Sequence, residues 1–221
     1  MHSVSSLSTA ACMRMKGPST AYATHSPRIV DVKSPFTYRH SNGVATAAVA
    51  IANSIGLDAT RVTFLRRAAL LHDVGKLGVS NSILEKPGKL DSDEWASAKQ
   101  RRYHTFEIPR RIPGFGELAE VAASHHEKLD GSGYFRDYTA EQLPLSARIL
   151  AVADIYDALA AKRPYRDAMP LEQVVGILGK DAPRAIDPVC VEALKTALGL
   201  GSLSQALNCL ADRTSQRSLL P

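Results

Sequence analysis

Cysteine, long apolar runs and strand-like alternation are scarce in this chain. The 221 residues hold three cysteines, Cys12, Cys190 and Cys209, with no CxxC spacing. A scattered, odd set argues against a disulfide framework and a structural zinc finger, and for a reducing compartment. No stretch reaches the roughly 18 consecutive apolar residues that a membrane-spanning helix needs. The N-terminus lacks the apolar run of about 7–15 residues that marks a secretory signal. Cytoplasmic residence is therefore expected, with no membrane span. No segment of length has the two-residue period of a strand and no repeat occurs, so the predicted class is all-α. The net charge of +5 suits an anionic partner. Lysine and arginine are scattered, and Arg101, Arg102, Arg110 and Arg111 read as a solvated helix face, so a long nucleic acid is not expected.

Residues 1–34, rich in Ser, Thr and Ala, read as a flexible leader or the remnant of an upstream region. A single domain over 35–200 and a tail over 201–221 complete the expected organisation. Val44, Ala47, Ala48, Ile51 and Ile55 predict a helix ended by Gly56. Asp58 is the expected N-cap of a second helix that runs through His72 until Gly75 breaks it. Asp91 caps a third, which passes Trp95 toward His104, and the two prolines between Ile108 and Phe115 predict a turn. Glu117 to His126 is read as helical, and LDGSGYF as a glycine-rich loop. Ser146 is the expected cap of the helix ARILAVADIYDALAA. Shorter helices follow at Leu171–Leu178 and, capped by Asp187, at Pro188–Leu198.

The histidines carry the chemistry. Of seven, His2 and His25 fall in the leader, whereas His40, His72, His104, His125 and His126 lie on or beside predicted helices. Two adjacent pairs stand out, His72-Asp73 and His125-His126. Neighbours on a helix point about 100° apart, so one pair can serve two ions, or one ion and a supporting partner. Asp154 interrupts the apolar face formed by Ile149, Val152 and Ile155. A buried, unpaired carboxylate costs several kcal/mol, so Asp154 calls for a cation. Mixed imidazole and carboxylate ligands suit first-row transition metals. Asp157, one turn on, reads as a surface or helix-stabilising acid.

The segments LLHDVGKLGVSNSILEKPGKL and HHEKLDGSGYF, followed by LPLSARILAVADIYDALAAKRPYR, resemble the HD-GYP subgroup of HD-superfamily phosphohydrolases. The resemblance runs from about Tyr38 to Leu198. It implies an HD-type helical bundle in a bacterial cytoplasmic signalling protein that hydrolyses cyclic di-GMP to linear pGpG, and onward to GMP, through a hydroxide held between two metal ions. By motif it makes His40, His72, Asp73, His104, His125, His126 and Asp154 the metal ligands, with Asp73 bridging two divalent ions. Iron or manganese are the first expectation, with zinc, cobalt or nickel as alternatives. Lys76 reaches a phosphate oxygen, Arg163 and Arg166 hold the dinucleotide phosphates, and Gly133 and Tyr134 line the base-side cavity. On residues alone, the two arginines also fit a second role as caps on the Asp154 helix. The chain departs from the family in having Phe135 where the name-giving proline stands. It also has Phe36 where three-metal members carry glutamate, which favours two ions. Rival expectations are hydrolysis of another nucleotide, such as cyclic GMP-AMP, and a degenerate module that binds dinucleotide without turnover. A homodimer or a signalling partner protein is left open.

Overall fold

The computed structural model describes residues 35–84, 86, 88–89, 91–133, 135–163 and 166–201. His2, His25, Cys12, Cys209 and Tyr134, and the expected leader and most of the tail, lie outside the described residues. Within them the chain forms eight α-helices and two 3-10 turns, with no strand. Helix α1 (Pro35–Ile55) starts well before the spaced apolar run and so includes His40. Val44, Ala48, Ile51 and Ala52 turn its buried face inward. Gly56, at φ +87°, ends it, and the amides of Gly56 and Leu57 close back on the Ala52 carbonyl. Asp58 caps α2 (Ala59–Leu71) by accepting from the Thr60 and Arg61 amides at 2.8 and 3.0 Å. A 3-10 turn (Val74–Gly78) and the short α3 (Asn81–Leu84) follow.

Helix α4 (Ser92–Arg110) begins with a capping box in which the Asp91 and Glu94 side chains accept each other's backbone amides. It does not turn at Ile108 as expected. Pro109 lies in its last turn, where it removes the amide that would bond the Thr105 carbonyl, and the helix ends at the next residue, Arg110. Next come α5 (Gly116–Ala123) and a second 3-10 turn (Ser124–His126). Helix α6 (Leu145–Ala160) is preceded by Pro144, not capped by Ser146, which is buried inside the first turn. Helices α7 (Leu171–Asp181) and α8 (Pro188–Ala197) complete the fold. Asp187 caps α8 as expected, accepting from the Val189 amide at 2.8 Å.

Helix α1 is the central element, packed against α2, α6 and α8, while α4 lies on the first 3-10 turn and on α5. Ile51, Leu65, Ile149, Leu150, Leu178 and Leu194 fill the core between them. Of the four arginines read as a solvated face, Arg110 and Arg111 are exposed, but Arg101 is half-buried and Arg102 buried, because α4 lies directly on the turn carrying Val74–Gly78. No helix among the described residues is long and apolar enough to cross a membrane.

Candidate metal centre

The helix packing carries six of the seven proposed ligands to one place. His40 comes from α1, His72 and Asp73 from the end of α2, His125 and His126 from the second 3-10 turn, and Asp154 from the middle of α6. They form two groups, His40 with His72 and Asp73, and His125 with His126 and Asp154, with ligand atoms within 4.8 Å of one another in each. The groups adjoin. Asp154 Oδ1 lies 3.0 Å from His40 Nε2 and 3.7 Å from His72 Nε2, and the rings of His72 and His125 meet edge-on with centroids 4.9 Å apart. Asp73 Oδ2 sits 3.4 Å from His72 Nε2 and 3.8 Å from His40 Nε2.

The imidazoles are oriented by their other nitrogen. His72 Nδ1 donates to the Ala69 carbonyl at 2.7 Å, and His125 Nδ1 to the Ala122 carbonyl at 2.6 Å. A carbonyl oxygen can only accept, so the hydrogen is on Nδ1 and the lone pair of Nε2 faces the cluster. His72 Nε2 is buried without a hydrogen-bond partner. His40 Nδ1 pairs with Asp157 Oδ2 at 2.7 Å, which leaves its Nε2 facing Asp154. An orphaned buried Nε2, three imidazoles held through Nδ1 and two convergent carboxylates fit divalent first-row metal ions.

Burial opposes the charge on Asp73 and Asp154, but the surrounding imidazoles, and Lys76 for Asp73, outweigh it and hold both carboxyls low. Burial drives His125 down to about 4 and His126 to about 2, with the neighbouring imidazole adding to each. His40 is the exception. Burial pulls it down, yet its hydrogen bonds to Asp154 and Asp157 raise it to about 9. A metal entering at His40 therefore displaces a proton at neutral pH. Apparent metal affinity is expected to rise with pH by up to about tenfold per unit until it flattens near pH 9. Chelator competition across pH 6–9 checks this, and a flat profile would contradict it.

His104 belongs to neither group among the described residues. Its ring packs on Gly78, where an added Cβ would stand 2.3 Å from His104 Cδ2. Lys76 Nζ is paired with Asp73 Oδ2 at 2.7 Å, at the cluster's edge. Arg163 and Arg166 are exposed, and the Arg166 guanidinium donates to the Ala158 and Leu159 carbonyls at 2.6 and 3.0 Å, the capping geometry at the end of α6. Gly133 lies against Glu127, whose Oε2 would be 2.6 Å from an added Cβ.

Two acids escaped sequence reasoning. Asp157 is not a surface acid: its side chain is 14% exposed and bonded to His40, one turn from Asp154 on the same face of α6. Gly43 makes room for it, since a Cβ there would lie 1.7 Å from Asp157 Oδ1. Asp157→Asn is expected to weaken metal binding by about 10–100-fold, because an amide can offer His40 its NH2 group instead of an acceptor. Chelator competition measures this, and an unchanged affinity would remove Asp157 from the support of the site. Glu127, directly after His126, is buried and accepts from the amides of Phe135 at 2.7 Å, Arg136 at 3.2 Å and Tyr138 at 2.9 Å. It anchors the glycine-rich loop to the metal-binding turn. Phe135 meets Phe106 of α4 with ring centroids 6.0 Å apart, and the Arg136 guanidinium lies over both rings at about 5 Å. The aromatic contact thus ties down a loop that lacks the family's proline.

A model of the HD domain family matches residues 26–190. The chain is 50% identical over 174 residues to 3'3'-cGAMP-specific phosphodiesterase 3 of Vibrio cholerae, covering 78% of this chain and 38% of the relative. It is 36% identical to the cyclic di-GMP phosphodiesterase response regulator RpfG of Xanthomonas campestris, over 76% of this chain and 45% of that protein. The chain thus spans less than half the length of these curated relatives. Among solved structures, a cyclic GMP-AMP-specific phosphodiesterase of V. cholerae (V-cGAP3) superposes with a TM-score of 0.53 at 41% identity, covering 83% of this chain and 42% of that one.

Proposed function

The chain belongs to the HD domain family, and on that premise we propose that it is a metal-dependent phosphodiesterase acting on cyclic dinucleotides. The observation that carries this reading is the convergence of His40, His72, Asp73, His125, His126 and Asp154. In this reading those six residues hold two divalent ions, iron or manganese first, and His104, packed on Gly78, stands apart from the set. Ions bound there supply Lewis acidity at a phosphoryl oxygen and make water nucleophilic near neutral pH.

The protein's own groups do the rest. The Ala69 and Ala122 carbonyls and Asp157 fix the imidazoles, so the ligand set is preorganised before substrate arrives. Lys76 at the cluster edge offsets charge that develops on the phosphoryl oxygens. The Gly133 loop, anchored through Glu127, borders the substrate, with Tyr134 and Arg163 as further substrate contacts. Arg166, engaged at the end of α6, is better placed to shape that segment than to grip a phosphate. No side-chain nucleophile is required. Cys190, the one free cysteine among the described residues, is buried in the core with its thiol pushed up by burial.

Two substrates are supported. Motif resemblance favours cyclic di-GMP, and the 50% identity to a phosphodiesterase named for 3'3'-cGAMP favours cyclic GMP-AMP. The test is a panel of both dinucleotides offered to protein loaded with iron or manganese under anaerobic conditions, with products resolved by chromatography. The proposal expects a linear dinucleotide from at least one of them. Metal-loaded protein that binds both and opens neither would make the chain a binding module instead.

A further inference from the structure

The guanidinium that faces the metal centre is not one the motifs single out. Arg101, on α4, places Nη2 3.1 Å from Nε2 of His126. Guanidinium nitrogens only donate, so Nε2 of His126 is the acceptor. Among the described residues this is the only polar partner of the Arg101 side chain, and no carboxylate pairs with it. The Glu127 carboxylate, next to His126 in the chain, accepts instead from the amides of Phe135, Arg136 and Tyr138.

The backbone at Arg101 is fixed against the motif that carries His72 and Asp73. The Thr105 hydroxyl donates to the carbonyls of Arg101 at 3.0 Å and His72 at 3.2 Å, and accepts from the Gly75 amide at 3.1 Å. This packing holds the base of the Arg101 side chain in register with the cluster. A half-buried cation of fixed origin, set against His126 at the edge of the cluster and with no carboxylate paired to it among the described residues, is arranged for an anion from outside the protein.

We propose that Arg101 is a substrate-binding residue that donates to a non-bridging oxygen of the phosphodiester held at the His/Asp cluster. This rests on the phosphodiesterase reading of the same site. A lone pair on His126 Nε2 given over to a metal ion is no longer available to Arg101, which then has two or more N–H groups free for phosphate oxygens. A planar guanidinium suits that bidentate task better than an ammonium. Arg101 thereby takes the phosphate-gripping role that Arg166, held on the carbonyls at the end of α6, does not fill.

Arg101→Ala and Arg101→Lys test the assignment, with KM, kcat and metal content measured for each. The alanine variant is expected to keep the wild-type number of ions per chain by elemental analysis. Its KM for the cleaved dinucleotide should rise at least about tenfold, the scale of one charge-assisted hydrogen bond. Lysine should recover part of that loss. An unchanged KM overturns the assignment, and so does loss of an ion, which would show that Arg101 only braces His126. If the wild-type protein cleaves neither cyclic di-GMP nor cyclic GMP-AMP, the phosphodiesterase reading falls separately. Inorganic phosphate titrated into zinc-loaded protein and followed by phosphorus NMR then decides for Arg101. Weaker binding in Arg101→Ala supports the anion site, and equal binding overturns it.

Discussion

Asp73→Ala is expected to lower kcat/KM by at least about three orders of magnitude and to leave the protein unable to hold its full complement of metal. Asp73 is the carboxylate around which the first ligand group closes, with Oδ2 3.4 Å from His72 Nε2, 3.8 Å from His40 Nε2 and 2.7 Å from Lys76 Nζ. Losing it removes a negative ligand and strands Lys76 as a cation beside the remaining imidazoles, so both terms act against a divalent ion. A metal centre contributes several kcal/mol of transition-state stabilisation, and about 4 kcal/mol corresponds to a thousandfold. His72→Ala should do the same, because His72 Nε2 is a buried lone pair with no other role in the described structure. Steady-state kinetics with elemental analysis of the same samples checks both variants. Turnover that survives either change would mean the site is wrongly assigned.

Gly75→Ala should destabilise the fold without touching a ligand. A Cβ at position 75 would stand 1.7 Å from the Arg101 carbonyl oxygen and 2.6 Å from the Thr105 amide nitrogen, both backbone atoms of α4. Neither can rotate aside, so α4 must retreat from the turn that follows His72 and Asp73, and the Thr105 hydrogen bonds to Gly75 and His72 go with it. Overpacking against backbone falls at the upper end of the usual range, about 3 kcal/mol, which for a chain of this size lowers Tm by roughly 10 °C. Thermal unfolding of the metal-free variant measures this. A Tm within a degree or two of wild type would show that α4 yields easily.

The sequence made the helical class and the ligand types legible because both depend on local pattern. Apolar spacing marked α1 and α2, and side-chain caps at Asp58, Asp91 and Asp187 are short-range chemistry that a sequence displays directly. His40 needed the family resemblance, since nothing local says that α1 extends back to place it opposite Asp154. Ser146 misled because the helix starts two residues earlier than a Ser146 cap requires, behind Pro144, whose ring fixes an entry angle that needs no side-chain cap. Arg102, Asp157 and Glu127 were illegible as buried groups for a common reason. Charged residues default to solvent, and only tertiary packing reveals that α4 turns Arg102 inward, that His40 meets Asp157 and that a loop folds over Glu127. A signal did exist for the two acids. Asp157 lies one helical turn from Asp154, and Glu127 joins the histidine pair to a glycine-rich loop.

If the six clustered side chains form a two-metal centre, the protein's metal stoichiometry shows it most directly. Protein purified anaerobically and quantified by elemental analysis is expected to carry about two iron or manganese ions per chain, falling to one or none in Asp73→Ala. A wild-type protein that takes up no transition metal even when reconstituted with either ion would contradict it.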